Sequence, residues 1–183
     1  LLRQKPSCLS GSGTLDMTAT DTMTLLGCQI DIPPMTSSIE RDAHLTAMAA
    51  KVRQQLSHQD ADLVVLPKLS SIDYARATFD CLNEIGEPLD GESFKTWREV
   101  AEEFGVFISY GFARRSQNGC FICVAVVNPK GEIVGHYDKL HLAHHGASME
   151  KDYFTSGAHL FTFRVKQFCL APIICYDIRM LEL

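Results

Sequence analysis

The order of elements in this sequence predicts a mixed α/β fold of the layered, α+β type, and three observations carry that prediction. Asp62–Pro67 is apolar at consecutive positions between a polar start and a proline, which suits a central strand covered on both faces. Two segments, one before and one after it, repeat apolar residues at helical spacing. From Val106 onward the apolar runs are short and are separated by turn residues. Strand, helix, strand, helix and then a run of strands argues for layers rather than a purely doubly wound sheet. No internal repeat is present.

Taken in order, residues 1–22 read as a disordered or added leader, since Ser10-Gly-Ser-Gly-Thr is flexible, polar and without periodicity. The domain is expected over 23–183. Thr24–Ile30 reads as the first strand, stopped by Pro33-Pro34. Ser37 three residues before Glu40 is a capping box, and Leu45, Met48, Ala49, Val52 and Leu56 form the stripe of a helix from about Ser38 to Leu56. Residues 70–92 read as a loop or short helix. Ser93 is expected to cap a second helix with Phe94, Trp97, Ala101 and Phe104 inward and Gly105 as its stop. Val106–Phe112, Phe121–Val127 and Glu132–Tyr137 read as strands, the last two joined by the turn Asn128–Gly131. Leu160–Val165 and Phe168–Cys175 complete the series.

A chain of 183 residues, 46% hydrophobic and 21% charged, is long enough to bury a sizeable core. The net charge of −5 gives no reason to expect nucleic acid or an anionic membrane as partner, and no apolar run reaches the length of a membrane span. Seven cysteines, an odd number scattered through apolar runs, favour a reducing compartment. With no basic stretch followed by an apolar core near the N-terminus, a cytoplasmic location is expected. Cys120 and Cys123 form a C-x-x-C inside an apparent strand; with no second pair of comparable spacing they read as core residues rather than as a metal or redox site.

Three places put a residue able to do chemistry at the end of a strand: Pro67-Lys68, Asp138-Lys139 and Ile174-Cys175. A thiol followed at once by Tyr176-Asp177-Ile178-Arg179 is a candidate nucleophile, because backbone N–H groups after the turn can face a developing oxyanion. Buried inert cysteine is the competing reading. By themselves, Lys139 reads equally as a surface lysine after a strand and Glu150 as a solvated loop carboxylate. His141, His144 and His145 raise a metal site as an option.

Four linked segments carry a resemblance: Asp62–Pro67, Gly131–Leu142, Tyr153–Gly157 and Ile174–Arg179. Their order and spacing resemble the carbon–nitrogen hydrolase (nitrilase) superfamily, and Cys-Tyr-Asp with a following Arg is most similar to its amidase, ω-amidase-like branch. The resemblance implies a nitrilase-like α-β-β-α sandwich, pairing into homodimers or larger assemblies, that cleaves a small amide through a cysteine thioester without metal or organic cofactor. It implies Cys175 as nucleophile, Lys139 as the cation that stabilises the tetrahedral intermediate, and Glu150 as a second glutamate that positions the lysine. It also implies that His141 is structural, since a Lys-Leu-His-Leu run belongs to the pattern. The family extends past the cysteine with further strands and helices, so the second half of the sandwich is expected to be missing from this chain.

One departure dominates. The family's glutamate base follows the proline of the second strand, and here that position is Lys68. An ammonium cannot accept a proton, and Lys68 near Lys139 would set two like charges in one confined site. The expectation is impaired or absent hydrolysis. The alternative is a catalytically dead relative that binds a small molecule or a protein.

Overall fold

The computed structural model describes residues 22–180 apart from 145 and 147. All but the last residue of the expected leader, and the final three residues, lie outside the described residues.

Helix α1 spans Ser38–Leu56 as its spacing requires, and it starts on the expected capping box: the Ser37 side chain accepts from the Glu40 backbone while the Glu40 carboxylate accepts from the Ser37 N–H. Leu45, Met48, Ala49, Val52 and Leu56 are its buried face. It connects β1 (Leu25–Gly27) to β2 (Leu63–Val65), which lie parallel. Residues 70–92 resolve into two short helices, α2 (Arg76–Phe79) and α3 (Leu82–Ile85).

Helix α4 (Glu92–Phe104) then leads into β3 (Phe107–Ser116), parallel to β2. Its start corrects the expectation that Ser93 is the cap. The N-cap is Gly91, and Ser93 lies two residues on, in the first turn, where its backbone N–H and hydroxyl both donate to the buried Glu87 carboxylate at 2.7 and 2.6 Å. A carboxylate from outside the helix thus supplies the acceptor that a serine at the N-cap would have supplied. Gly91 is required there, because a Cβ would meet the Glu87 side chain at 2.9 Å. The stripe is shifted accordingly: Trp97, Val100 and Ala101 are buried, while Phe94 and Phe104 are partly covered. Gly105 ends the helix at φ 66, as its position suggested.

The rest of the sheet is antiparallel. β3 pairs with β4 (Gly119–Val127), and β4 with β5 (Ile133–Asp138) across the Asn128–Gly131 turn, with a bulge at Val126/Val127. The order is β1-β2-β3-β4-β5. Strand alternation sorts the core into two faces. Val64, Ile108, Tyr110, Phe112, Cys123, Ala125 and Val127 face α1 and α4. Ile122 and Val124 belong to a second cluster on the opposite face, with Leu69, Phe79, Tyr137, Phe154 and Ile174. Cys120 packs with that second cluster and Cys123 with the first, so the C-x-x-C thiols lie on opposite sides of the strand and cannot share a metal ion or a disulfide.

A two-stranded hairpin, β6 (Phe163–Val165) and β7 (Phe168–Leu170), lies against the face opposite the helices, with Phe163 and Val165 packed on Leu63 and Val126. The described residues therefore form a helix layer, a five-stranded sheet and a two-stranded second sheet, layers that agree with the expected nitrilase-like sandwich. Four strands are shorter than expected: Thr24–Ile30 narrows to β1, Asp62–Pro67 to β2, Leu160–Val165 to β6, and Phe168–Cys175 to β7. In the last case Pro172 has no N–H to give a ladder, and 171–174 stand outside any strand. Among the described residues no helix is long and apolar enough to cross a membrane.

Glu87 gives the fold a pH dependence of known sign. Burial raises its carboxyl above the ordinary range, against the hydrogen bonds from Ser93 that lower it. The folded chain therefore holds that proton more tightly than the unfolded chain does. The stabilisation this gives is complete below the ordinary glutamate value and is lost as the pH rises through the folded-state value. Urea unfolding of the parent and of Glu87→Gln between pH 4 and 7 should show the parent gaining on the variant as the pH falls.

Candidate active site

The loop after β2 carries Lys68 and is held by close backbone approach. A Cβ at Gly111 of β3 would stand 2.5 Å from the Pro67 carbonyl oxygen and 2.7 Å from the Leu69 nitrogen, so only glycine lets the loop lie on the strand. The Ser70 hydroxyl donates to the Gly111 carbonyl at 2.8 Å. Leu69, next to Lys68, sits at φ 52. Cys175 also sits at φ 52, as the first residue of a 3-10 helix, Cys175–Arg179. A non-glycine residue in this region costs about 1–3 kcal/mol and persists only where its surroundings dictate it. Two of the three such residues among those described flank or carry candidate site residues.

Lys139 follows β5 directly. Its backbone is fixed on both sides, its N–H donating to the Ile122 carbonyl and its carbonyl accepting from the Gly157 N–H, each at 2.8 Å. Gly157, from the Tyr153–Gly157 segment, lies so close to the Asp138 carbonyl that a Cβ would overlap it. Asp138 in turn holds Arg114 bidentately at 2.9 and 2.6 Å, which anchors the end of β5.

Glu150 opens the short helix α5 (Glu150–Tyr153) and brings the lysines together. One carboxylate oxygen accepts from Lys68 Nζ at 2.8 Å; the other accepts from Lys139 Nζ at 2.6 Å and from the Ala143 N–H at 2.8 Å. Lys139 and Glu150 are fully buried, and the Lys68 side chain is 24% exposed, its ammonium 4.3 Å from the centre of the Tyr74 ring. Burial alone would raise the Glu150 carboxyl, but the hydrogen bonds from Lys139, Lys68 and Ala143 outweigh it and hold the group below the ordinary glutamate range. Lys139 is thus no surface lysine and Glu150 no solvated carboxylate. Nor do the two ammonium groups face each other bare, as the sequence suggested: a carboxylate joins them.

Cys175 is exposed, and it lines a cavity of about 340 Å³ together with Lys68, Ser109 and the apolar residues of β2 and of 170–174. Among the described residues, no carboxylate lines its wall. Asp177, two residues on, is fully buried and accepts from Tyr137 Oη at 2.7 Å, from the His141 N–H at 2.8 Å and from His141 Nδ1 at 3.0 Å. His141 is held there as an anchor of the site loop. Sequence reasoning gave Asp177 and Tyr137 no role. The available signal was the place of Asp177 two residues after the candidate nucleophile.

The layered α/β fold thus joins Lys68, Glu150 and Lys139 at one point and sets Cys175 with Lys68 in the wall of one cavity. The chain belongs to the carbon-nitrogen hydrolase family, whose model matches residues 27–183. It is 32% identical over 131 residues to a nitrilase of Pyrococcus abyssi, a match covering 70% of this chain and 48% of that protein. It is 30% identical over 147 residues to the deaminated glutathione amidase of Rattus norvegicus, covering 73% and 44%. Among solved structures, a mutant of the amidase from Nesterenkonia sp. AN1, with the acetamide moiety of fluoroacetamide added covalently at its active-site cysteine, superposes with a TM-score of 0.67 at 18% identity over 87% of this chain and 58% of that one. The chain spans about half the length of the curated relatives it matches.

Removing the carboxylate should be costly. Glu150→Ala leaves a buried Lys139 ammonium without its partner, and uncompensated buried charge costs about 3–5 kcal/mol. Because the Glu150 carboxyl is held low, the stabilisation it gives the parent is full above about pH 4.5, its unfolded value, and is lost as the pH falls through the folded value. Urea midpoints of parent and Glu150→Ala should accordingly differ most at neutral pH and converge in acid.

Proposed function

We propose that this chain carries the amide-cleaving centre of a carbon–nitrogen hydrolase, with Cys175 as nucleophile, a small amide as substrate, a homodimer as the assembly and release of the acyl group to water as the hindered step. The Cys175 sulfur attacks the carbonyl carbon, Lys139 offsets the charge that develops on the oxygen, and the amine leaves with the thiol proton. Water must then add to the thioester, with a base to take its proton.

The observation that carries this reading is the engagement of Glu150 by Lys68, Lys139 and Ala143. Both oxygens of the carboxylate are taken, and the residue at the position of the family's base contacts it as a cation. Lys68 and Cys175 line the same cavity, so the first half-reaction keeps its nucleophile and a cation in that cavity while the second lacks its base. The Nesterenkonia amidase gives a parallel: a glutamate-to-leucine mutant of it shows covalent addition at the active-site cysteine.

The decisive comparison is intact-protein mass spectrometry and ammonia release with small amides such as glutaramate, for the parent and for Lys68→Glu. The parent should hold an acyl adduct on Cys175 and release little acid. Lys68→Glu should turn over faster by at least about 100-fold, the lower end of what a general base supplies. If neither protein reacts, the reading as a binding relative without turnover stands in its place.

A further inference from the structure

β5 ends at Asp138, and the chain then bends at Leu140 and His141. Tyr137 and His141, two residues to either side of Lys139, turn to the same acceptor. Tyr137 Oη donates to one Asp177 oxygen at 2.7 Å; the His141 backbone N–H and Nδ1 meet the other at 2.8 and 3.0 Å. Tyr137 Oη also lies 3.4 Å from the Leu140 N–H, which donates to it, so the phenol links the carboxylate to the residue next to Lys139.

Asp177 is two residues from Cys175, and its own N–H closes the turn by donating to the Ile174 carbonyl at 3.1 Å. Cys175 and Ile178 are exposed, no side chain caps the 3-10 helix, and Asp177 is its buried residue. A left-handed cysteine needs an outside constraint to stay as it is, and the buried Asp177 carboxylate ties its turn to Tyr137 and His141.

We propose that Asp177 is a positioning residue of this site: held by Tyr137 and by the backbone and ring nitrogens of His141, it fixes the turn that presents Cys175 against the segment that presents Lys139. It touches no reacting atom and acts through the two residues that do. The inference rests on the functional reading only in taking Cys175 as the nucleophile.

The test reads the thiol directly, without amide turnover. Alkylation of Cys175 by iodoacetamide is followed against pH by peptide mass mapping, in the full chain, for the parent, Asp177→Asn and Tyr137→Phe. A positioning role and a simple charge effect have opposite signs. Deleting a nearby negative charge would favour thiolate and speed alkylation. Losing the fixed turn takes Cys175 out of the cavity wall it shares with Lys68 and slows alkylation at pH 7 by about tenfold. Tyr137→Phe, which removes one donor and no charge at neutral pH, should act in the same direction by about two- to threefold. Unchanged or faster alkylation in a variant that keeps the parent's circular dichroism overturns the proposal. If Asp177→Asn does not fold, Tyr137→Phe decides. Failure of Lys68→Glu to hydrolyse amide counts against the functional reading and leaves this comparison intact.

Discussion

The centre of this protein depends on one carboxylate. Glu150 is wholly buried and holds two ammonium groups and a backbone N–H. Taking a lysine as deep as Lys139 out of water costs several kcal/mol, and only a partner of opposite charge in good hydrogen-bonding geometry offsets it. The rest of the site is arranged to bring that partner in. Gly111 lets the Lys68 loop lie on β3; Gly157 lets the chain close over Asp138; Arg114 anchors the end of the strand from which Lys139 projects. None of these residues does chemistry, and each sets the position of one that can.

The same carboxylate explains how Lys68 is accommodated. Placed beside Lys139 alone, it would meet like charge in a confined space. With Glu150 between, it completes a cation–carboxylate–cation bridge and lays its ammonium near the Tyr74 ring. A lysine at position 68 is thus compatible with the fold, and it puts a cation in the wall of the cavity that Cys175 lines.

Much of the fold was legible because local rules and tertiary packing agree. The capping box at Ser37 and the stripe from Leu45 to Leu56 both point to α1, and the turn at Asn128–Gly131 fixes the β4–β5 hairpin. Where the reading went astray, the deciding group came from elsewhere in the chain. Ser93 has the chemistry of a cap, but Glu87 takes its N–H from outside the helix. The run to Cys175 has the composition of a strand, but Pro172 cannot serve a ladder. In the site, strand ends singled out Lys68, Lys139 and Cys175 as candidates, and the family resemblance added Glu150. The pairing of Lys68 with Glu150 joins positions 82 apart, and no local pattern encodes a contact of that span. Asp177 was hidden for the same reason, since its partners lie 36 and 40 residues earlier.

That span also bears on the order in which the molecule can assemble. β3, β4 and β5 are joined by short turns and can zip in sequence, with little loop to close at each step. Lys139 emerges from the last of these strands. While α5 is undocked, its ammonium has no carboxylate, and closing the segment over it would bury a lone charge. Sealing the end of β5 and docking α5 are therefore coupled into a single late event. The hydrogen bonds there, Lys139 to Ile122 and Gly157 to Lys139, belong to the last part of the chain to become native rather than to the nucleus that starts it.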